Sequence, residues 1–195
     1  MSFLKTVWSK NRDESSLIIG LLLYTSILRF FYIAKGLPHN SIDENDIVEF
    51  ALGYYGGDLH PNWFKYGAFY SYLLSTIFYI QSLLASGTIH DFVERYFADP
   101  FSFFYSARAI NSLIHVGIAG LVFQVARTIN LKVALWAAIL TLIPYNDLLT
   151  NFTVRVDSLL AINATASILF GVYYARKGHV LSFAFAGLFA GFALG

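Results

Sequence analysis

Apolar residues fall in long blocks along this chain. Six stand out, at about 16–34, 66–86, 101–126, 131–146, 156–175 and 180–195. Crossing the hydrocarbon of a bilayer takes roughly 20 apolar residues in a helix, and most of the blocks approach that length. The polar stretches between them are short, apart from residues 35–65. There "SIDENDIVEF" places Asp43, Glu44, Asp46 and Glu49 within ten residues. Ile47, Val48, Ala51, Leu52 and Tyr55 recur at helical spacing through the same region, so the pattern predicts an amphipathic helix over 42–55. Ser41 and Glu44 form a capping box at its start.

Charge sets the expected orientation, because Lys and Arg gather on the cytoplasmic side of membrane helices. Lys5, Lys10 and Arg12 place the N-terminus inside. The run that follows has Arg29 late within it and no small-x-small cleavage site, so it reads as an uncleaved first span. Residues 36–60 hold five acids and no Lys or Arg, which puts this loop outside. Arg127 with Lys132, and Arg176 with Lys177, mark two inner connections. If every block crossed, residue 127 would fall outside, so one block stays on the outer face. The choice is 66–86, where Ser71, Ser75, Ser82 and Ser86 make a weak polar stripe, as in an interfacial helix. The alternative is an ordinary span and one misleading charge cluster. The expected architecture is all-α and polytopic, with spans at about 16–34, 101–126, 131–146, 156–175 and 180–195. An outer loop over 35–100 carries interfacial helices at about 42–55 and 66–86. Gly187, Gly191 and Gly195 offer a small-residue face for close helix packing. The last block stops within an apolar helix, so the chain reads as the front portion of a longer protein.

Composition agrees with a membrane protein. Hydrophobic residues make up 57% and charged residues 13%, about half the charge of an ordinary soluble domain. A net charge of +1 gives nucleic acid no footing as a partner. The absence of Cys excludes disulfides and thiolate-bound metal.

The candidate chemistry collects on the expected outer side. Asp43 there suits a general base for an acceptor hydroxyl. Asp43, Glu44 and His60 are the candidate ligands of a divalent ion. Lys65, in "GDLHPNWFKYGAFYSYL", sits at headgroup level, where it can hold a lipid phosphate as a point charge. Arg29, Arg108 and His115 lie inside apolar blocks, where charge is expensive and is usually paired or functional. Both arginines fall near the outer ends of their spans, within reach of the loop acids. Arg155 and Asp157 open the block at 156–175 on the same side. Each feature also has a structural account: a capped helix, an aromatic belt, snorkelling arginines, an acid at a helix start. The sequon Asn151-Phe152-Thr153 lies on this side as well.

Taken in order, these segments resemble the membrane-embedded GT-C glycosyltransferases. The likeness is greatest to the branch of protein O-mannosyltransferases and lipid A aminoarabinose transferases. It is carried by "SILRFFYIA", the acidic pair Asp43-Glu44, "LHPNWFKYGAFYSYLL", "SARAINSLIHVGIAGLVFQVAR" and "IPYNDLLTNFTVRVDSLLAINATASILF". Departures exist. The family often has Pro where Gly67 and Ala68 stand, and Phe64 stands where the aminoarabinose transferases carry an acid. The resemblance implies sugar transfer from a polyprenyl- or dolichyl-phosphate donor to a protein or lipid acceptor. Asp43, Glu44 and Asp157 would be catalytic, and Lys65, Arg108 and Arg155 would bind the lipid phosphate. The membrane would be the plasma membrane of a prokaryote or the ER of a eukaryote, with a cytoplasmic N-terminus. The competing reading is a small transporter or a non-catalytic membrane subunit, in which Arg108 and His115 line a pathway.

Overall fold

A computed structural model describes residues 42–57, 68–84, 89–142 and 154–194, together with Ser16, Gly20, Leu23, Tyr24, Ile27, Phe30 and Ile33. Among the described residues the chain is helical, with no strand. The helices are α1 (Ile42–Gly53), α2 (Phe69–Leu84), α3 (Ile89–Ala98), α4 (Pro100–Arg127), α5 (Leu131–Leu142), α6 (Val156–Lys177) and α7 (Val180–Leu194), with a 3-10 turn at Tyr54–Gly56 after α1. Of these, α4 with 28 residues and α6 with 22 are long and apolar enough to cross a membrane. At 16 residues α2 is shorter than a usual span.

Local chemistry fixes several helix ends. Pro100 occupies the first turn of α4, where its missing N–H costs nothing. Gly178 ends α6 with φ at 66°, and its N–H donates to the Tyr174 carbonyl at 2.8 Å. This left-handed cap turns the chain straight into α7. Between α4 and α5 the Asn130 side chain caps α5 by accepting the Val133 N–H at 2.9 Å.

The four C-terminal helices alternate in direction. His115 meets Ser158, and Gly117 meets Ile162, so α4 and α6 run parallel. The tight turn after Arg127 brings α5 back along α4, where Phe123 packs with Ala134 and Ala138. Ser167 donates to the Ala186 carbonyl at 2.9 Å, and Phe170 stacks on Phe189, so α7 returns along α6. Arg127 and Arg176 therefore share one end of the bundle, while Asp99 and Arg155 share the other.

Helices α1 and α2 pack on the first half of α4. Ile47, Val48 and Ala51 of α1 join Tyr70, Leu74 and Phe78 of α2 and Phe103, Phe104 and Ala107 of α4 in one buried cluster. Phe78 meets Phe103 edge to face at 5.3 Å, a favoured ring geometry. Tyr54 stacks on Tyr72, and its hydroxyl shares a hydrogen bond with Ser71 at 2.9 Å. The Tyr55 hydroxyl donates to the Ser75 carbonyl.

Two expectations change here. The serine stripe of α2 turns toward the protein: Ser82 is buried and Ser71 engages Tyr54. The exposed side of α2 is instead aromatic and aliphatic, with Phe69, Tyr72, Tyr79, Ile80, Leu83 and Leu84. The Ser71 hydroxyl gives the buried Tyr54 a hydrogen-bond partner. The second change concerns Gly187 and Gly191, which are exposed with nothing within 4 Å of an added Cβ. The α6–α7 contact is made by phenylalanines, and the small-residue face looks outward. Gly195 lies outside the described residues.

Candidate functional site

The acidic pair divides between two environments. Asp43 is exposed in the first turn of α1, whereas the next residue, Glu44, is fully buried at 0% exposure. Successive residues on a helix point about 100° apart, so one faces water when the other faces the core. Glu44 shares the buried face with Ile47, Val48 and Ala51.

Its partner is Arg108, 1% exposed, two turns into α4. Arg108 Nε donates to Glu44 Oε1 at 2.7 Å and Nη2 donates to Oε2 at 2.8 Å, a bidentate fork across 64 residues of sequence. The remaining arm, Nη1, donates to the Ile33 carbonyl at 3.1 Å. Glu44 Oε1 also accepts the backbone N–H of Val154 at 3.1 Å. One carboxylate and one guanidinium thus tie together the end of the first apolar block, α1, α4 and the approach to α6. A buried charge pair of this kind is tolerated because both members are fully hydrogen-bonded.

The pairing gives Arg108 a structural role. Each of its three nitrogens donates to a protein oxygen. It also bears on a divalent ion at the acidic pair. The guanidinium already holds both Glu44 oxygens, and a second cation there would meet its charge. Among the described residues no three His, Asp or Glu side chains gather closely enough to hold a metal. His60 and Lys65 lie outside the described residues, as do Arg29, Ser41 and the sequon.

The clamp fixes the exposed residues around it. Because Glu44 holds Val154, Asp43 is one residue from the same junction that Arg155 leaves on the other strand of chain. Arg155 is exposed and extended at the start of α6, and Asp157 is exposed in its first turn. Asp43, Arg155 and Asp157 are thus exposed residues one to three positions from the two ends of the Glu44–Val154 hydrogen bond. An acid in the first turn of α6 also suits the helix dipole.

Beneath the clamp, α4 continues a polar stripe at helical spacing through Arg108, Asn111, Ser112 and His115. Asn111 and Ser112 are buried. His115 Nε2 and Ser158 Oγ are hydrogen-bonded at 3.0 Å and join α4 to α6. Tyr70 of α2 is buried too, and its hydroxyl has no hydrogen-bond partner among the described residues. Burial, and after it the charge of Glu44, push its pKa above the usual tyrosine range. The sequence reading left Tyr70 and Ser158 out. Only their neighbours in space distinguish them from the many other Tyr and Ser of the chain.

No protein-family model matches the chain, and no curated protein or solved structure matches it.

Proposed function

We propose that the chain is a glycosyltransferase module of the GT-C type. In this reading it moves a sugar from a polyprenyl- or dolichyl-phosphate to a hydroxyl of a protein or lipid, at the non-cytoplasmic face of a membrane. The observation that supports it best is the division of labour in the acidic pair. Glu44 is hydrogen-bonded to Arg108 and Val154, and its neighbour Asp43 is exposed, with Arg155 and Asp157 close to Val154 in the chain path.

Asp43 takes the proton from the acceptor hydroxyl as its oxygen forms the bond to the anomeric carbon. The bond from that carbon to the phosphate oxygen breaks, and the lipid phosphate leaves with the electron pair. Lys65 and Arg155 stabilise the leaving charge electrostatically. Asp157 orients the acceptor or donor, and Glu44 with Arg108 positions Asp43. The chain spans the membrane several times with a cytoplasmic N-terminus, in the plasma membrane of a prokaryote or the ER of a eukaryote.

The test is Asp43→Asn, assayed in membranes containing the protein with a radiolabelled lipid-phosphate sugar. Transfer should fall by about 100-fold or more, as removal of a general base does, with the melting temperature unchanged. Near-normal transfer by this variant sinks the assignment.

A further inference from the structure

Among the described residues the end of the bundle opposite Asp43 is basic; Asp13 and Glu14 lie outside them. Arg127, Lys132, Arg176, Lys177 and His179 lie in or beside its two turns, and no Asp or Glu occurs between Asp99 and Asp147 or after Asp157. The turns are built against each other: Arg176 Nη2 donates to the Thr128 carbonyl at 2.8 Å. Lys132, Arg176, Lys177 and His179 are exposed. Arg127, Arg176 and Lys177 sit in the last turns of α4 and α6, where a helix dipole favours cations. Lys132 lies in the first turn of α5 and gains nothing from that effect. Exposed apolar residues border the cations: Ile129, Trp136, Val180 and Leu181. A soluble acidic partner has no use for that border, whereas a lipid has an anionic head and an acyl chain to match both parts.

We propose that this end is a binding surface for anionic phospholipid headgroups, with Lys132 and Lys177 holding the phosphate and Trp136 beside the acyl chains. The inference rests on the membrane reading above and goes beyond it, because the charges would select among lipids as well as orient the chain.

Trp136 provides the readout. The full chain carrying Trp8→Phe and Trp63→Phe, which leaves Trp136 as sole tryptophan, is reconstituted in phosphatidylcholine vesicles. Brominated phosphatidylglycerol or brominated phosphatidylcholine is added at equal mole fractions, and quenching gives the relative association of each. The anionic lipid should associate at least about fivefold more strongly at low salt, since each basic residue near a charged headgroup contributes about that factor. The preference should shrink as ionic strength rises and approach one in Lys132→Gln/Lys177→Gln. Equal quenching by the two lipids, or a preference indifferent to salt, overturns the proposal, whatever the folding of the double variant. Quenching by neither lipid would instead mean that Trp136 never meets a bilayer, which overturns the membrane reading itself.

Discussion

At the scale of single residues, the Glu44–Arg108 pair decides most. Arg108→Met leaves a carboxylate buried without its cation, and should cost about 3–5 kcal/mol of stability. Glu44→Met/Arg108→Met removes both charges and should recover most of that loss, measured as the unfolding midpoint in detergent. If the single and double variants are equally destabilised, the pair is not the source of the cost. Tyr70 behaves in the opposite sense. Its hydroxyl is buried with no partner among the described residues, so Tyr70→Phe should be neutral or stabilising at pH 7. Its pKa is raised in the folded state by burial, as are those of Tyr54, Tyr55 and Tyr96. The stability tied to keeping these phenols neutral is therefore fully present below the unfolded pKa of about 10, and is lost as pH rises through the folded values. Tyr70→Phe should lose less stability than the parent between pH 9 and 11 in an alkaline melting series. The sequence exposed the raw materials of this site: an acid pair, an arginine inside an apolar block and its reach toward the loop acids. Helical spacing puts Glu44 on the stripe of Ile47 and Val48, but that Arg108 meets it there depends on how α1 docks on α4.

Among elements, α1 was legible from its apolar spacing. Ile47, Val48 and Ala51 are buried and Glu49 is exposed. For α2 the spacing was equally regular, but its polar stripe faces Tyr54 and Tyr55, which arrive from another segment. The α4–α6 contact has two testable parts. A Cβ on Gly117 would come 3.0 Å from Ile162 Cδ1, the mobile end of that side chain. Gly117→Ala should then be tolerated, and Gly117→Leu should cost about 1–3 kcal/mol by overpacking. The His115–Ser158 bond crosses the same interface. A double-mutant cycle with His115→Ala and Ser158→Ala should give a coupling of about 0.6 kcal/mol, typical of hydrogen bonds between membrane helices. A coupling near zero would mean the contact contributes nothing to holding α4 on α6.

For the molecule as a whole, the parallel course of α4 and α6 makes a prediction about sidedness. The chain has no Cys, so single introduced thiols report without background. In sealed vesicles Glu49→Cys and Asp99→Cys should react with an impermeant maleimide from one side, and Asn130→Cys and His179→Cys from the other. Labelling of residues 99 and 130 from the same side would remove α4 as a membrane span. Among the described residues this arrangement concentrates the exposed acids Asp43, Glu49, Asp99 and Asp157 toward one end of the bundle and Lys132, Arg176, Lys177 and His179 at the other.

The sequence by itself determined that the chain is helical, where its long apolar helices lie and which connections carry positive charge. These properties follow from hydropathy and from neighbours within a few residues. Tertiary structure alone decided that Arg108 meets Glu44 in a joint, and that the glycine face of α7 points away from α6. Each depends on how a helix is rotated about its axis when it meets a partner distant in the chain. That angle is set by packing against side chains brought from elsewhere, and no local pattern encodes it.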